Sequence, residues 1–328
     1  MNTFNLTTSY LGLSLKNPFI VSSSGLTSTF KKVKACEEAG AGAVVLKSIF
    51  EEQISAQSAQ MQQYNDYPEA ADYLSGYMEQ NALNEYITLI KECAENCEIP
   101  IIASINCSTS GSWVSYAQEF ERAGAAAIEL NIFALAASPS TTSAEIEAHY
   151  LSIVEAVKKV VNIPIAVKIP ATFSAPVNMV QQLYFRAIKG VTMFNRFYTP
   201  DIDLKKLSVI SSGVFSAPEE LNSTLRWIAL ASTGVPIIDI AASTGIHTWQ
   251  GAAKAFLCGA RVVQLCTTLY KNGIDTLPTI IKDFKEWAQS EGFLSMQDIQ
   301  GKLNTKNEQN AEIHERAQFM RYFSTFEE

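Results

Sequence analysis

Three phrases recur along this chain: CEIPIIASIN, VNIPIAVKIP and TGVPIIDIAA. Each closes a helical pattern, passes a proline and enters a run of branched aliphatic residues. Proline just beyond a helix end stops the helix. A short unbroken apolar run after it suits a strand buried on both faces. The alternation continues on either side and predicts strands at 17–22, 43–48, 99–105, 126–130, 163–169, 190–194, 235–241 and 261–265. Helices are expected at 28–39, 84–97, 112–123, 143–161, 176–188, 217–232, 249–257 and 275–289, with one more at 312–323. Eight strand–helix units in this order have the length of one α/β (β/α)8 TIM barrel. The expectation is therefore a single domain over 1–328, ending in a helical tail over 302–328. An open doubly wound sheet is the alternative; the absence of GxGxxG after the first strand weighs against it. Long excursions follow strands two and six. Residues 51–80 read as an irregular lid, and 195–216 carry one extra strand at 206–210.

Composition narrows function by exclusion. The net charge is −8 with no basic run, which argues against a nucleic-acid partner. No apolar stretch reaches the length of about 18 residues that a membrane span needs, and the N-terminus lacks the pattern of a signal peptide. A cytoplasmic protein without membrane contact is expected. The six cysteines form no CxxC pair, and Cys93 and Cys97 have no histidine near them in sequence, so they read as reduced thiols rather than metal ligands.

The stretch Gly234 to Leu269 places two strand ends, each followed by small residues and a helix start, close together in sequence. Backbone N–H groups and helix ends converging without large side chains favour an anion. In a barrel of this kind a phosphate often sits on the loops after strands seven and eight. Polar residues at the C-terminal strand ends are the expected catalytic positions. They are Ser24, Lys47, Asn106, Asn131, Lys168 and Asn195, with both lysines expected to be buried at one mouth. Such a set suits an anionic ligand or an intermediate that gains negative charge.

TSYLGLSLKNPFIVSSSG, VVLKS, IELN, IAVKIP and the closing TGIHT, AFLCGA and VVQLCTTL resemble the soluble, FMN-containing dihydroorotate dehydrogenases. KSIFEEQI and FNRFYTPDIDL resemble more closely a side branch described as dihydroorotate dehydrogenase-like. The resemblance implies a bound FMN and oxidation of a small anionic dihydro-compound, with dihydroorotate to orotate in pyrimidine biosynthesis as the reference reaction. It implies a phosphate on Ser212, Gly213, Thr244, Gly245, Cys266 and Thr267. Ser24 and Gly25 would follow the isoalloxazine edge, with Ser48 and Asn106 completing the cofactor set. Lys168 would face the flavin N1/O2 side, and Lys47 would stand between flavin and substrate. Lys47, Asn131 and Asn195 are the implied catalytic residues. A homodimer and a separate electron acceptor are also implied.

The chain departs from that family's pattern where the base belongs. The loop after strand four runs Asn131-Ile132-Phe133-Ala134-Leu135-Ala136, and Ala134 stands at the position of the usual Cys or Ser. A methyl group accepts no proton, so a different small dihydro-compound is a second candidate substrate. Cys107, Ser138, Thr141 and Tyr198 are other candidate acceptors, and Glu51 and Glu52 are placed to steady Lys47. Thr244 and Cys266 replace glycines of the phosphate turns; their Cβ atoms are tolerable if φ stays negative. His247 reads as a helix cap or as a supporting group one step removed from the phosphate. Two other functions fit the same residues: a flavin-free lyase forming a Schiff base on Lys47 or Lys168, and a non-catalytic ligand-binding descendant.

Overall fold

The computed structural model describes residues 4–50, 68–107, 110–196, 199–211 and 213–315. The chain begins with a hairpin in which β1 (Thr8–Tyr10) pairs antiparallel with β2 (Leu13–Leu15). Leu11 and Gly12 both have positive φ, as a two-residue hairpin turn of the favoured hand requires. Then come β3 (Phe19–Val21), β4 (Ala43–Val45), the short β5 (Ile49–Phe50), β6 (Ile101–Asn106), β7 (Ala127–Asn131), β8 (Ile165–Pro170) and β9 (Gly190–Asn195). A second hairpin, β10 (Pro200–Asp203) with β11 (Ser208–Ser211), precedes β12 (Asp239–Ser243) and β13 (Val262–Leu265). Strands β3, β4, β6, β7, β8, β9, β12 and β13 are parallel neighbours in that order, and the β13–β3 pairing closes the ring. The expected barrel is the observed fold.

Alternation along each strand explains what lies inside the ring. At the N-terminal end Ile20, Ala43, Val45, Ile102, Ala127, Ala166, Ala241 and Val262 make an apolar floor, plugged by Tyr10, Leu11 and Leu15 of the first hairpin. Leu11 presses so closely on Gly190 that a Cβ there would collide with its side chain. Two residues further along the strands the interior turns polar: Ser22, Ser104, Glu129, Lys168, Thr192, Ser243 and Gln264 are all buried. The outward strand faces pack on the helices in one large apolar core.

Several expected boundaries need correction. Strand seven begins at Asp239, four residues later than expected, because Val235 caps the preceding helix and Ile237 is 71% exposed. The first excursion is not irregular throughout: a helix runs from Pro68 to Asn96. Its Ala, Leu and Glu content favours a helix, and proline is welcome at the first helical position. Residues 51–67, including Glu51 and Glu52, lie outside the described residues, as does the part of the expected tail beyond Glu315. The second excursion holds two strands rather than one. Among the described residues no helix is long and apolar enough to cross a membrane.

Candidate functional site

An open cleft lies at the C-terminal mouth of the barrel. It is lined by Ser22, Ser23, Lys168, Asn195, Arg196, Val214, Ser216, Ser243, Thr244, Gly245, Ile246, Gln264, Cys266 and Thr267. Lys168 is 8% exposed and makes no hydrogen bond or ion pair with the described residues. A nearly buried ammonium without a protein partner is costly, and an anion in the cleft would offset that cost. Register places Lys168 beside Asn131 on the neighbouring strand. Asn195 donates from Nδ2 to the Asn131 Oδ1 at 2.9 Å, so both amides are held in one arrangement.

The floor of the cleft is a buried network. The Gln264 amide donates to Glu129 Oε2 at 2.6 Å and to Thr192 Oγ1 at 3.2 Å. Thr192 Oγ1 donates to the same Glu129 oxygen at 2.8 Å, and Ser22 Oγ donates to Gln264 Oε1 at 3.0 Å. Glu129 Oε1 and the Tyr10 hydroxyl have no hydrogen-bond partner among the described residues. Burial, then the Glu129 carboxylate, holds the Tyr10 phenol far above its usual range.

The phosphate-turn expectation is corrected in one respect. Thr244 does not keep a negative φ: it sits at +74°, followed by Gly245 at +79°. The turn thus has the backbone of a double glycine with a β-branched residue in the first place. The Thr244 side chain is drawn aside, its Oγ1 donating to the Phe194 carbonyl at 3.1 Å. Cys266 has φ −140°, and its thiol reaches Ser24. Burial pushes that thiol up, against the opposing pull of Lys168. It therefore stays protonated at neutral pH and is a poor base.

Of the expected residues, the cleft brings together Lys168, Asn195, Thr244, Gly245, Cys266 and Thr267, with Asn131 tied to Asn195. The others stand nearby. Ser24 caps the turn Gly25–Thr27, accepting from the Leu26 N–H, while Ser22 and Ser23 line the wall. An added Cβ at Gly25 would approach the Tyr270 hydroxyl to 2.7 Å. Ser48 lies one step behind, its N–H donating to Ser23 Oγ at 2.9 Å and its hydroxyl meeting Ser104 at 2.7 Å. Asn106 ends β6, half-buried. Lys47 is not buried: it falls between β4 and β5, exposed and outside the cleft lining. Gly213 is clasped by Arg196, which donates to the carbonyls of Gly213 and Val214; Ser212 and Tyr198 lie outside the described residues.

Sequence reading missed Ser22, Ser23, Arg196, Ser216, Ser243 and Gln264. Gln264 and Ser243 follow from the period-two alternation with Val262 and Ala241. Arg196 and Ser216 arrive through loop geometry that carries no such signal. Ala134 is partly buried against the core, while Phe133 and Leu135 beside it are 50% and 66% exposed. Among the described residues no group of three or more His, Cys, Asp or Glu is arranged to hold a metal.

A closed parallel barrel whose mouth gathers an ammonium without a partner among the described residues, a ring of hydroxyls and a tight turn has the chemistry to receive an anionic organic ligand. The family model described as dihydroorotate dehydrogenase matches residues 5–287, and the chain belongs to that family. A Pyrococcus furiosus protein named dihydroorotate dehydrogenase B (NAD(+)), catalytic subunit, is 27% identical over 88% of this chain and 96% of its own. The protein of the same name from Thermoplasma acidophilum is 26% identical over 90% and 98%. Lachancea kluyveri dihydroorotate dehydrogenase (fumarate) is 37% identical over a shorter stretch, 21% of this chain and 22% of its own.

Proposed function

We propose that this family member, an oxidoreductase of CH–CH groups, binds FMN in the cleft and oxidises a small anionic dihydro-compound of the dihydroorotate type. The observation that carries the reading is Lys168, a nearly buried cation without a partner among the described residues, on the same mouth as the Asn131–Asn195 pair. The flavin, when bound, supplies two-electron hydride chemistry. The residues present fit it. Lys168 would stabilise negative charge on the reduced ring. Thr244, Gly245, Cys266 and Thr267 would surround the phosphate, with Gly213 beside them; Ser212, which the resemblance adds to this set, lies outside the described residues. Ser24, Gly25, Ser48 and Asn106 would support the ring edge from behind Ser22 and Ser23. Asn131 and Asn195, already joined, would hold the substrate's polar edge, and the exposed Lys47 would meet its anionic group from the rim.

Ala134 supports a substrate other than dihydroorotate, because the loop offers no proton acceptor at the family's position. Removing a general base costs about 10²–10⁴-fold in rate. The relatives' names divide between fumarate and NAD(+) as acceptor, so the acceptor for this chain is a separate question. The second hairpin supports a homodimer: Ile202 faces Val209 across it, and Ile202, Leu204, Leu207 and Val209 are all exposed. An isolated two-stranded ribbon with an apolar face is marginal in water, and a second copy would cover it. We place the protein in the cytoplasm and treat 1–328 as one domain.

The test is the absorbance spectrum of the purified protein, followed by anaerobic addition of dihydroorotate and other dihydropyrimidines. A flavin band bleached by one of them is the expected result. A protein that stays colourless after incubation with FMN would remove the reading.

A further inference from the structure

A chain of side chains leads from the half-buried His247 to the cleft. His247 does not line the cleft, but its Nε2 lies 3.2 Å from the hydroxyl of Ser216, which does. Ser216 Oγ is in turn 3.1 Å from Thr267 Oγ1 and accepts, at 3.4 Å, from the N–H of Gly245. Ser216 is itself 5% exposed, and its N–H donates to Thr267 Oγ1 at 3.2 Å. The backbone of His247 is fixed as well, its carbonyl accepting from the buried Thr268 hydroxyl at 2.9 Å. The three side chains thus stand within hydrogen-bond reach of one another, and the direction of each bond depends on where the protons lie.

The Ser216 hydroxyl has one proton and two oxygen or nitrogen neighbours that could take it. When His247 Nε2 is bare, that proton goes to the ring. Ser216 Oγ then draws the Thr267 proton toward itself, away from the cleft. When the ring is an imidazolium, Nε2–H must donate to Ser216. The Ser216 proton turns to Thr267 Oγ1, and the Thr267 proton is released to point into the cleft. Resting on the flavin reading above, we propose that His247, acting through Ser216, is a positioning residue that turns the Thr267 hydroxyl toward the cofactor phosphate. His247 and Ser216 lie outside the phosphate set that the family pattern implies; they reach it at Thr267 and Gly245 and add a side-chain donor where Thr244 and Cys266 replace glycines.

The groups facing His247 set the direction of its response. Burial, then the Lys271 ammonium, lowers its pKa from the usual histidine range, while a hydrogen bond to the Ser216 backbone, then Glu219 and Glu220, oppose them. Glu220 is already engaged, accepting from Arg196 Nε and from the Ala217 N–H. A phosphate dianion in the cleft favours the imidazolium, so binding takes up a proton. Affinity is then greatest at low pH and falls as pH rises through the His247 pKa of the complex.

The test is the dissociation constant of FMN, read from quenching of flavin fluorescence by apoprotein, between about pH 5.5 and about pH 8. Wild type is compared with His247→Gln, Ser216→Ala and Thr267→Val, each checked for an unchanged melting profile. Protonation of the phosphate itself is common to all four and cancels in the ratio. Wild-type affinity is expected to fall about tenfold more than that of His247→Gln over this range, the size of one charge-assisted hydrogen bond. Ser216→Ala keeps the histidine but cuts the link, and should lose the same dependence; Thr267→Val should weaken binding and be equally flat. Parallel profiles for wild type and His247→Gln would overturn the relay, as would a pH dependence that survives in Ser216→Ala. Absence of quenching with all four proteins would remove the flavin reading, and this inference with it.

Discussion

Gln264 does two jobs at once: its amide nitrogen donates to the buried Glu129 carboxylate, and its oxygen accepts from Ser22 on the cleft wall. Replacing it with leucine leaves a buried carboxylate with one donor fewer and a serine without its acceptor. Gln264→Leu should lose about 2–4 kcal/mol, read as a lower urea midpoint; an unchanged midpoint would mean the network is not a determinant of stability. Ala134 makes a prediction of the opposite kind. If the loop after β7 lacks only a proton acceptor, Ala134→Cys should raise dihydroorotate turnover by about 10²-fold or more, with a rate that climbs as the thiol ionises. No gain would mean that the exposed Phe133 and Leu135 have reshaped the substrate pocket as well. Ala134 and Lys168 are legible in sequence because they fall on the strand ends and loops that barrels use for chemistry. Thr244 is not: the turn adopts a glycine-like backbone around a β-branched residue, and the Phe194 carbonyl that accepts its hydroxyl lies fifty residues away. Lys47 is misread for the opposite reason, since alternation points it inward but strand β4 ends at Val45.

At the scale of elements, the long strands are the readable ones. Ile101–Asn106 and Ile165–Pro170 are runs of branched residues entered through proline, and both lie where expected. The first hairpin escapes notice because each of its strands has three residues, too few for a periodic signal. Yet it closes the barrel. Leu11 fills the space above Gly190 and its N–H donates to Asp239 Oδ2 at 2.7 Å; Asp239 also pairs with Arg261 at 3.3 Å. A side chain at position 190 must displace that plug. Gly190→Val should cost about 1–3 kcal/mol in thermal or urea unfolding, whereas Gly213→Ala, where an added Cβ meets nothing within 4 Å, should cost far less. Equal losses would show that the plug yields freely.

The whole molecule is a barrel with an apolar floor, a polar upper layer and an apolar hairpin standing off its C-terminal face. That polarity gradient divides the barrel: the floor supplies stability, the polar upper layer lines the cleft proposed for the ligand, and the exposed hairpin is the surface proposed for a second copy. Val209→Asp on the hairpin should shift sedimentation from dimer toward monomer without changing the fold, since Val209 is 73% exposed; a wild-type monomer would contradict the dimer. Lys168 carries a nearly buried charge that, under the proposed function, a bound flavin would balance. The most direct measurement is the FMN retained per chain after reconstitution and ultrafiltration, for wild type and Lys168→Met. The account predicts one FMN per wild-type chain and at least about tenfold weaker retention in the variant, the loss of one buried charge-assisted contact. Equal retention by both proteins, or none by either, would contradict it.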